Sequence, residues 1–193
     1  MVAVSSTMLM LGTKATDFKL PDYNGKIYQL NDFDPYKALL IMFICNHCPF
    51  VKHVRNELTR IAVDYQKRGL AIVGINANDV KNYPEDSVGN MKKFAQENQW
   101  SFPYLYDETQ EVAKAYKAAC TPDFFLFNEK HLLVYRGQLD DSRPSNDKPV
   151  TGQDLREALE ALLTDKSISY NQKPSIGCNI KWKSDNEPDY FSR

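Results

Sequence analysis

Apolar residues run without a break from Leu39 to Ile44 and then give way to Cys45-Asn46-His47-Cys48-Pro49. A run of this length is too short to cross a bilayer and reads as a strand buried on both faces. The period then changes. Phe50, Val54, Leu58, Ile61 and Tyr65 recur three or four apart, the spacing of one helix face. Lys67-Arg68-Gly69 closes that pattern with basic residues and a glycine, a helix stop signal. Leu70 to Ile75 is a second compact apolar run. Two strands joined by a helix pair in parallel, which sets Asn76-Ala77-Asn78-Asp79 on the same sheet edge as the two cysteines. Open α/β sheets bind their ligands on that edge.

Ahead of this unit, short alternation in residues 17–21 and 26–30 flanks Asp22-Tyr23-Asn24-Gly25, a hairpin turn signal. Behind it, Pro84-Glu85-Asp86-Ser87 starts a helix with Val88, Met91, Phe94 and Ala95 on its inner face. Residues 101–106 form a short strand, and Asp107 or Thr109 caps a helix running through Val112 and Tyr116. Residues 124–127 and 131–135 flank Asn128-Glu129-Lys130 as a second hairpin. A last helix carries Leu155, Ala158, Leu159, Leu162 and Leu163, and periodicity is lost after Thr164. The expected organisation is one α/β domain over residues 1–164 and a tail, 165–193, that packs on it or extends from it.

Composition narrows the setting. A chain of 193 residues with net charge −1 can bury a core without staples, and it shows no basic stripe, so nucleic acid is not an expected partner. No membrane partner is expected either. The opening Met1 to Leu11 has no positive lead and includes Ser5, Ser6 and Thr7, which argues against a cleaved signal and for the cytoplasm. Four cysteines are too few for a disulfide scaffold.

Two of them carry the candidate chemistry. The first turn of a helix offers unpaired N–H groups and the positive end of the macrodipole. A thiol there ionises more easily, and the thiolate is the reactive form. Cys-x-x-Cys can also be half of a zinc site, but structural zinc usually takes four ligands, and Cys120 and Cys178 stand apart from each other and from any close histidine. Two buried, inert cysteines are a further alternative. Strand, Cys-x-x-Cys and helix in a βαβ setting favour a thiol redox site without metal.

Three segments, Ala15-Thr16-Asp17-Phe18-Lys19-Leu20, Phe43 to Pro49 and Thr121-Pro122-Asp123-Phe124-Phe125-Leu126, resemble the thioredoxin-like superfamily. The resemblance, over about residues 13–163, is to its peroxiredoxin-like branch, the alkyl hydroperoxide reductase/thiol-specific antioxidant (AhpC/TSA) family. Gly177-Cys178-Asn179-Ile180-Lys181-Trp182 is similar to a tail feature of one peroxiredoxin-like subfamily. The resemblance implies a thioredoxin-like fold: a central mixed β-sheet flanked by helices, an N-terminal β-hairpin extension and a C-terminal tail. It implies an antioxidant thiol–disulfide oxidoreductase acting on protein or small-molecule disulfides, with no cofactor, and relatives of this kind often self-associate.

Residue roles follow from the same resemblance. Cys45 takes the place of the exposed nucleophile and Cys48 that of the more buried resolving cysteine, while His47 between them favours the Cys45 thiolate. Thr121-Pro122 is expected to be cis, to pack against the pair and to bare a backbone edge on which an extended substrate can pair. The chain departs from peroxiredoxins, which carry Pro-x-x-x-Thr/Ser-x-x-Cys: Ile41 and Cys45 replace the Pro and the hydroxyl residue. Thiol-dependent peroxidase therefore stays an alternative, as does a redox-inactive binding module. Residues 39–43 supply no carboxylate for proton transfer, so an assisting acid must come from elsewhere. The charged loop Arg136 to Pro149 is expected to shape access, with Arg143 its candidate. Cys120 is expected to be buried packing that could lie near the pair. Cys178 is either a third redox partner or part of a tail strand folded over the body.

Overall fold

The structure is a computed structural model that describes residues 3–191; Met1 and Val2 of the opening segment and Ser192 and Arg193 of the tail lie outside the described residues. In chain order the elements are β1 (Ala3–Ser5), β2 (Lys19–Pro21), β3 (Ile27–Gln29), β4 (Ala38–Phe43), α1 (Pro49–Tyr65), β5 (Leu70–Asn76) and α2 (Val88–Glu97). They continue as β6 (Tyr104–Tyr106), α3 (Glu111–Ala115), β7 (Cys120–Thr121), β8 (Asp123–Asn128), β9 (Leu133–Gly137), α4 (Gln153–Leu163) and β10 (Ile176–Asn179).

The unbroken apolar run becomes β4, the middle strand of a five-stranded sheet ordered β6-β5-β4-β8-β9. It pairs in parallel with β5 and antiparallel with β8, so both its edges are bonded. Both its faces are covered as well. Leu40 and Met42 join residues of α1, α2 and α4 in one core. Leu39, Ile41 and Phe43 join the N-terminal segment, the α3 region, Ile180 and Trp182 in a second core on the opposite face. A strand covered on both sides has no solvent face, which is why its sequence does not alternate.

The first hairpin is β2 against β3, closed by Asp22, whose Oδ1 accepts the N–H groups of Asn24 at 2.8 Å and Lys26 at 2.9 Å. The second is β8 against β9. Residues 84–86 differ from expectation: they form a separate 3-10 turn, and α2 begins only at Val88, which is exposed rather than inward. The turn is held off the helix by the Asp86 carbonyl, which accepts Asn76 Nδ2–H at 2.9 Å, and by the Asp86 carboxylate, which reaches Asn46.

The tail is a structural element of the body. Its strand β10 pairs with β1 on one side and β7 on the other, completing a three-stranded sheet ordered β1-β10-β7. Beyond it, Lys181 N–H donates to Asn78 Oδ1 at 2.8 Å, and the Lys181 carbonyl accepts from Asp79 N–H at 2.8 Å and Gln110 Nε2–H at 3.0 Å. Four residues of strand and a series of single contacts leave no periodic trace in sequence. The approach of β10 to β7 is close. A Cβ on Gly177 would stand 2.1 Å from the Thr121 carbonyl oxygen, so no side chain fits there.

Gly177→Ala is accordingly expected to unpair β10 from β7 and to lower stability by about 1–3 kcal/mol, the usual range for overpacking. Amide exchange should quicken at residues 176–179 while β4 stays protected; unchanged protection would contradict the close approach.

Candidate active site

Cys45 follows β4 in the turn before α1, and Cys48 is the N-cap residue of that helix, with Pro49 in its first turn. Proline suits this place because its missing N–H would have no helical partner. It is thus Cys48 whose sulfur sits at the positive helix end. That sulfur accepts hydrogen bonds from the thiols of Cys178 and Cys45, from the Thr121 hydroxyl and from the Val51 N–H. Led by Cys178, these donors outweigh burial and pull the Cys48 thiol well below the ordinary range. Cys45 is pushed the other way, by burial first, then by its bond to Cys48 and the charge of Asp86.

Thr121 ties the group together. Thr121-Pro122 is cis, as the resemblance implied. The Thr121 carbonyl oxygen lies 3.1 Å from Cys48 Sγ, which donates to it when protonated, and its hydroxyl lies 3.3 Å from Cys45 Sγ. Two expectations are corrected here. Cys45 is not the exposed member of the pair: it is 1 % exposed and Cys48 0 %. Nor is the edge at Thr121 bare, because Cys178 of β10 is paired directly opposite it.

His47 lies between the cysteines, yet its hydrogen-bond partner is a carboxylate. Nδ1 of its ring is 2.5 Å from Asp86 Oδ2, and the ring stacks on Tyr83 at 5.5 Å. Asp86 is fully buried and also accepts the N–H groups of Asn46 at 2.8 Å and His47 at 3.1 Å, and Asn78 Nδ2–H at 2.7 Å. Asn46 in turn accepts the Tyr104 hydroxyl at 3.0 Å. The effect expected of His47 on Cys45 is therefore offset by an acid beside it, and burial keeps the Cys45 proton in place. Asp86 is a buried carboxylate beside Cys45, supplied from outside the strand before the cysteines. In sequence it stands in a segment that reads as a helix start, and nothing local aims it at residues 39 and 40 positions earlier.

One atom each from Cys45, His47 and Asp86 lies within 4.8 Å of the others, a group that could hold a metal ion. A metal would have to displace donors already bound to Asp86, and the site fits a hydrogen-bonded thiol centre better. A second buried acid, Asp123, is pushed up to about 7 by burial, and its neighbours in β8 show that it starts on the face opposite α1: Phe124 packs with the α1 core, Phe125 with the other.

Cys120 is buried packing, its thiol donating to the Pro122 carbonyl at 3.5 Å. The loop carrying Arg143 does reach the site edge, where Arg143, Phe50, Pro122 and Ile176 line a hollow of ≈ 20 Å³. That is about the room one water needs. The Arg143 guanidinium is tied to its own loop, to the Asp140 and Ser142 carbonyls at 2.6 and 2.7 Å and to Gln138.

A family model described as the AhpC/TSA family matches residues 11–136. This chain belongs to the AhpC/TSA family. Among curated relatives, a thiol-disulfide oxidoreductase ResA from Geobacillus thermodenitrificans is 30 % identical over 161 residues, 81 % of this chain and 80 % of the relative. Among solved structures, an uncharacterized conserved protein from Geobacillus kaustophilus is 58 % identical with a TM-score of 0.93, covering 95 % of this chain and 98 % of that one. A hypothetical protein from Sinorhizobium meliloti 1021 is 49 % identical with a TM-score of 0.92, covering 93 % and 98 %. Peroxidoxin BcpB from Mycobacterium tuberculosis, at 17 % identity and a TM-score of 0.61 over 81 % of this chain and 98 % of that one, shares the fold.

Two titrations check the site. The reduced protein is expected to keep a thiolate ultraviolet absorbance from neutral into mildly acid pH, and Cys48→Ser should remove it; persistence in that variant would misassign the charge. Because the folded-state pKa of Cys48 is depressed, its ionisation stabilises the fold fully above the unfolded thiol value of about 8.5 and is lost as pH falls toward the folded one. Asp86→Asn removes a negative charge beside Cys45 and should move the Cys45 titration down.

Proposed function

We propose that this protein is a thiol–disulfide oxidoreductase whose Cys45 and Cys48 shuttle between dithiol and disulfide. The observation that carries the reading is Thr121 of the cis-Pro turn set against both sulfurs at the mouth of α1, its hydroxyl 3.3 Å from Cys45 Sγ and its carbonyl oxygen 3.1 Å from Cys48 Sγ. ResA relatives named for this activity support it.

The sulfur geometry suggests a division of labour. Its surroundings favour the negative charge on Cys48, and burial favours the proton on Cys45. When a substrate disulfide reaches Cys45, its proton passes to Cys48 and the new thiolate attacks, giving a mixed disulfide and one substrate thiolate. That thiolate takes the proton from Cys48. Cys48 then attacks the Cys45 sulfur, closes the Cys45–Cys48 disulfide and releases the second substrate thiolate. Cys48 thus acts first as base and then as resolving nucleophile. His47, through Asp86, fixes the turn that carries Cys45 rather than titrating it directly.

Both sulfurs are covered, so a substrate has to be admitted by movement around Thr121. The substrates we propose are extended protein segments or small molecules carrying a disulfide, in a reducing cytoplasmic setting and with an antioxidant role. The family match and the charge on Cys48 keep a second reading, reduction of a hydroperoxide by Cys48, in view.

Turnover of a model disulfide with a thiol donor decides between them. Cys45→Ser and Cys48→Ser are each expected to lose at least about 100-fold in rate, the scale seen when a catalytic group is removed. Disulfide turnover surviving in both would overturn the proposal. Peroxide consumption that survives Cys45→Ser but not Cys48→Ser would establish the second reading.

A further inference from the structure

Strand β10 occupies the edge that a bound peptide would use. Addition of a strand to a free sheet edge is a common way of holding an extended ligand, and here the chain's own tail has taken that edge. Cys178 is the residue paired with Thr121, whose carbonyl lies 3.1 Å from Cys48 Sγ. Its thiol is hydrogen-bonded to the Cys48 sulfur. Gly177, one residue before it, permits the approach by presenting no side chain to the Thr121 carbonyl. The tail therefore delivers a third sulfur to the Thr121 edge, where Cys48 already lies against the Thr121 carbonyl.

We infer that Cys178 is a third redox-active thiol of this centre, which exchanges with the Cys45–Cys48 disulfide to form a Cys48–Cys178 disulfide. This rests on the thiol–disulfide reading above. In the exchange the Cys178 sulfur attacks Cys48, the Cys48–Cys178 bond forms and the Cys45–Cys48 bond breaks. The proton leaving Cys178 is taken up by Cys45, which departs as a thiol. No electrons enter or leave, so two oxidised isomers share one oxidation level and no outside oxidant is needed. Cys178 is 3 % exposed, which makes the neighbouring sulfur and not a solvent reagent its first partner. Cys120, also near, gives its thiol to a carbonyl instead and takes no part.

The isomer has a consequence. Cys48–Cys178 bonds the tail covalently across the Thr121 edge and leaves Cys45 a thiol, so the enzyme is held closed while still oxidised. Opening then requires Cys45 to re-attack Cys48 and free the tail.

Cys45→Ser in excess oxidised glutathione isolates the step. Cys48 attacks glutathione disulfide, releasing one glutathione, and Cys178 displaces the second. Peptide mass mapping without reductant is expected to show a Cys48–Cys178 cross-link that reductant removes and that is absent from the double variant Cys45→Ser/Cys178→Ser. Glutathione retained on Cys48 in Cys45→Ser, with no cross-link, would overturn the inference. Oxidised wild type, mapped in parallel without any substitution, should give the Cys45–Cys48 link together with some Cys48–Cys178. A wild-type Cys45–Cys48 link with no Cys48–Cys178 in either protein removes this inference and leaves the proposed function standing. Wild type with no Cys45–Cys48 link removes the proposed function itself.

Discussion

Everything at the site depends on a gap one glycine wide. At Gly177 the tail strand comes so near the Thr121 carbonyl that a Cβ could not be fitted between them. That proximity lets β10 pair with β7 and brings Cys178 to Cys48. It also buries the Cys-x-x-Cys pair, although the pair lies on the sheet edge where α/β folds expose their chemistry. The same contact sets the number of sulfurs in the cluster and its access to solvent.

The charges are arranged around that contact. A helix N-terminus, a backbone N–H and two thiol donors converge on Cys48, and this favours its ionised form despite burial. Cys45 has burial and Asp86 against its ionisation, and Cys178 has its bond to Cys48 and burial. One negative charge among three sulfurs is the arrangement this environment stabilises, because a second would be desolvated and repelled by the first. A centre of this kind is reactive without being exposed, and its selectivity rests with whatever moves β10 aside.

The fold was legible where a pattern is enforced along its whole length. Burial of β4 on both faces requires an unbroken apolar run, and the buried stripe of α1 requires the spacing of Val54, Leu58 and Ile61. The cysteine pair was legible because it is local in sequence, and the Thr121-Pro122 turn through the family resemblance that its flanking residues carry. What was hidden depends on long-range, single contacts. Asp86 lies in a 3-10 turn yet binds residues 39 and 40 positions earlier in the chain, and only the folded chain shows its carboxylate accepting from Asn46, His47 and Asn78. The tail left no periodic signal because β10 is four residues long and its neighbours are held by individual backbone bonds to Asn78, Asp79 and Gln110. Burial of Cys45 was missed for that reason: the residues that close the site come from the far end of the chain.

The most direct test of the central claim is the equilibrium of the described thiols with a glutathione redox buffer, read by the fraction of protein disulfide at each poise. A single reversible two-electron couple is expected, present in wild type and altered in position or lost when Cys48 is replaced by serine. Cysteines that stay reduced across the whole range of the buffer, or that oxidise only between molecules, would contradict a centre built from sulfurs gathered around Thr121.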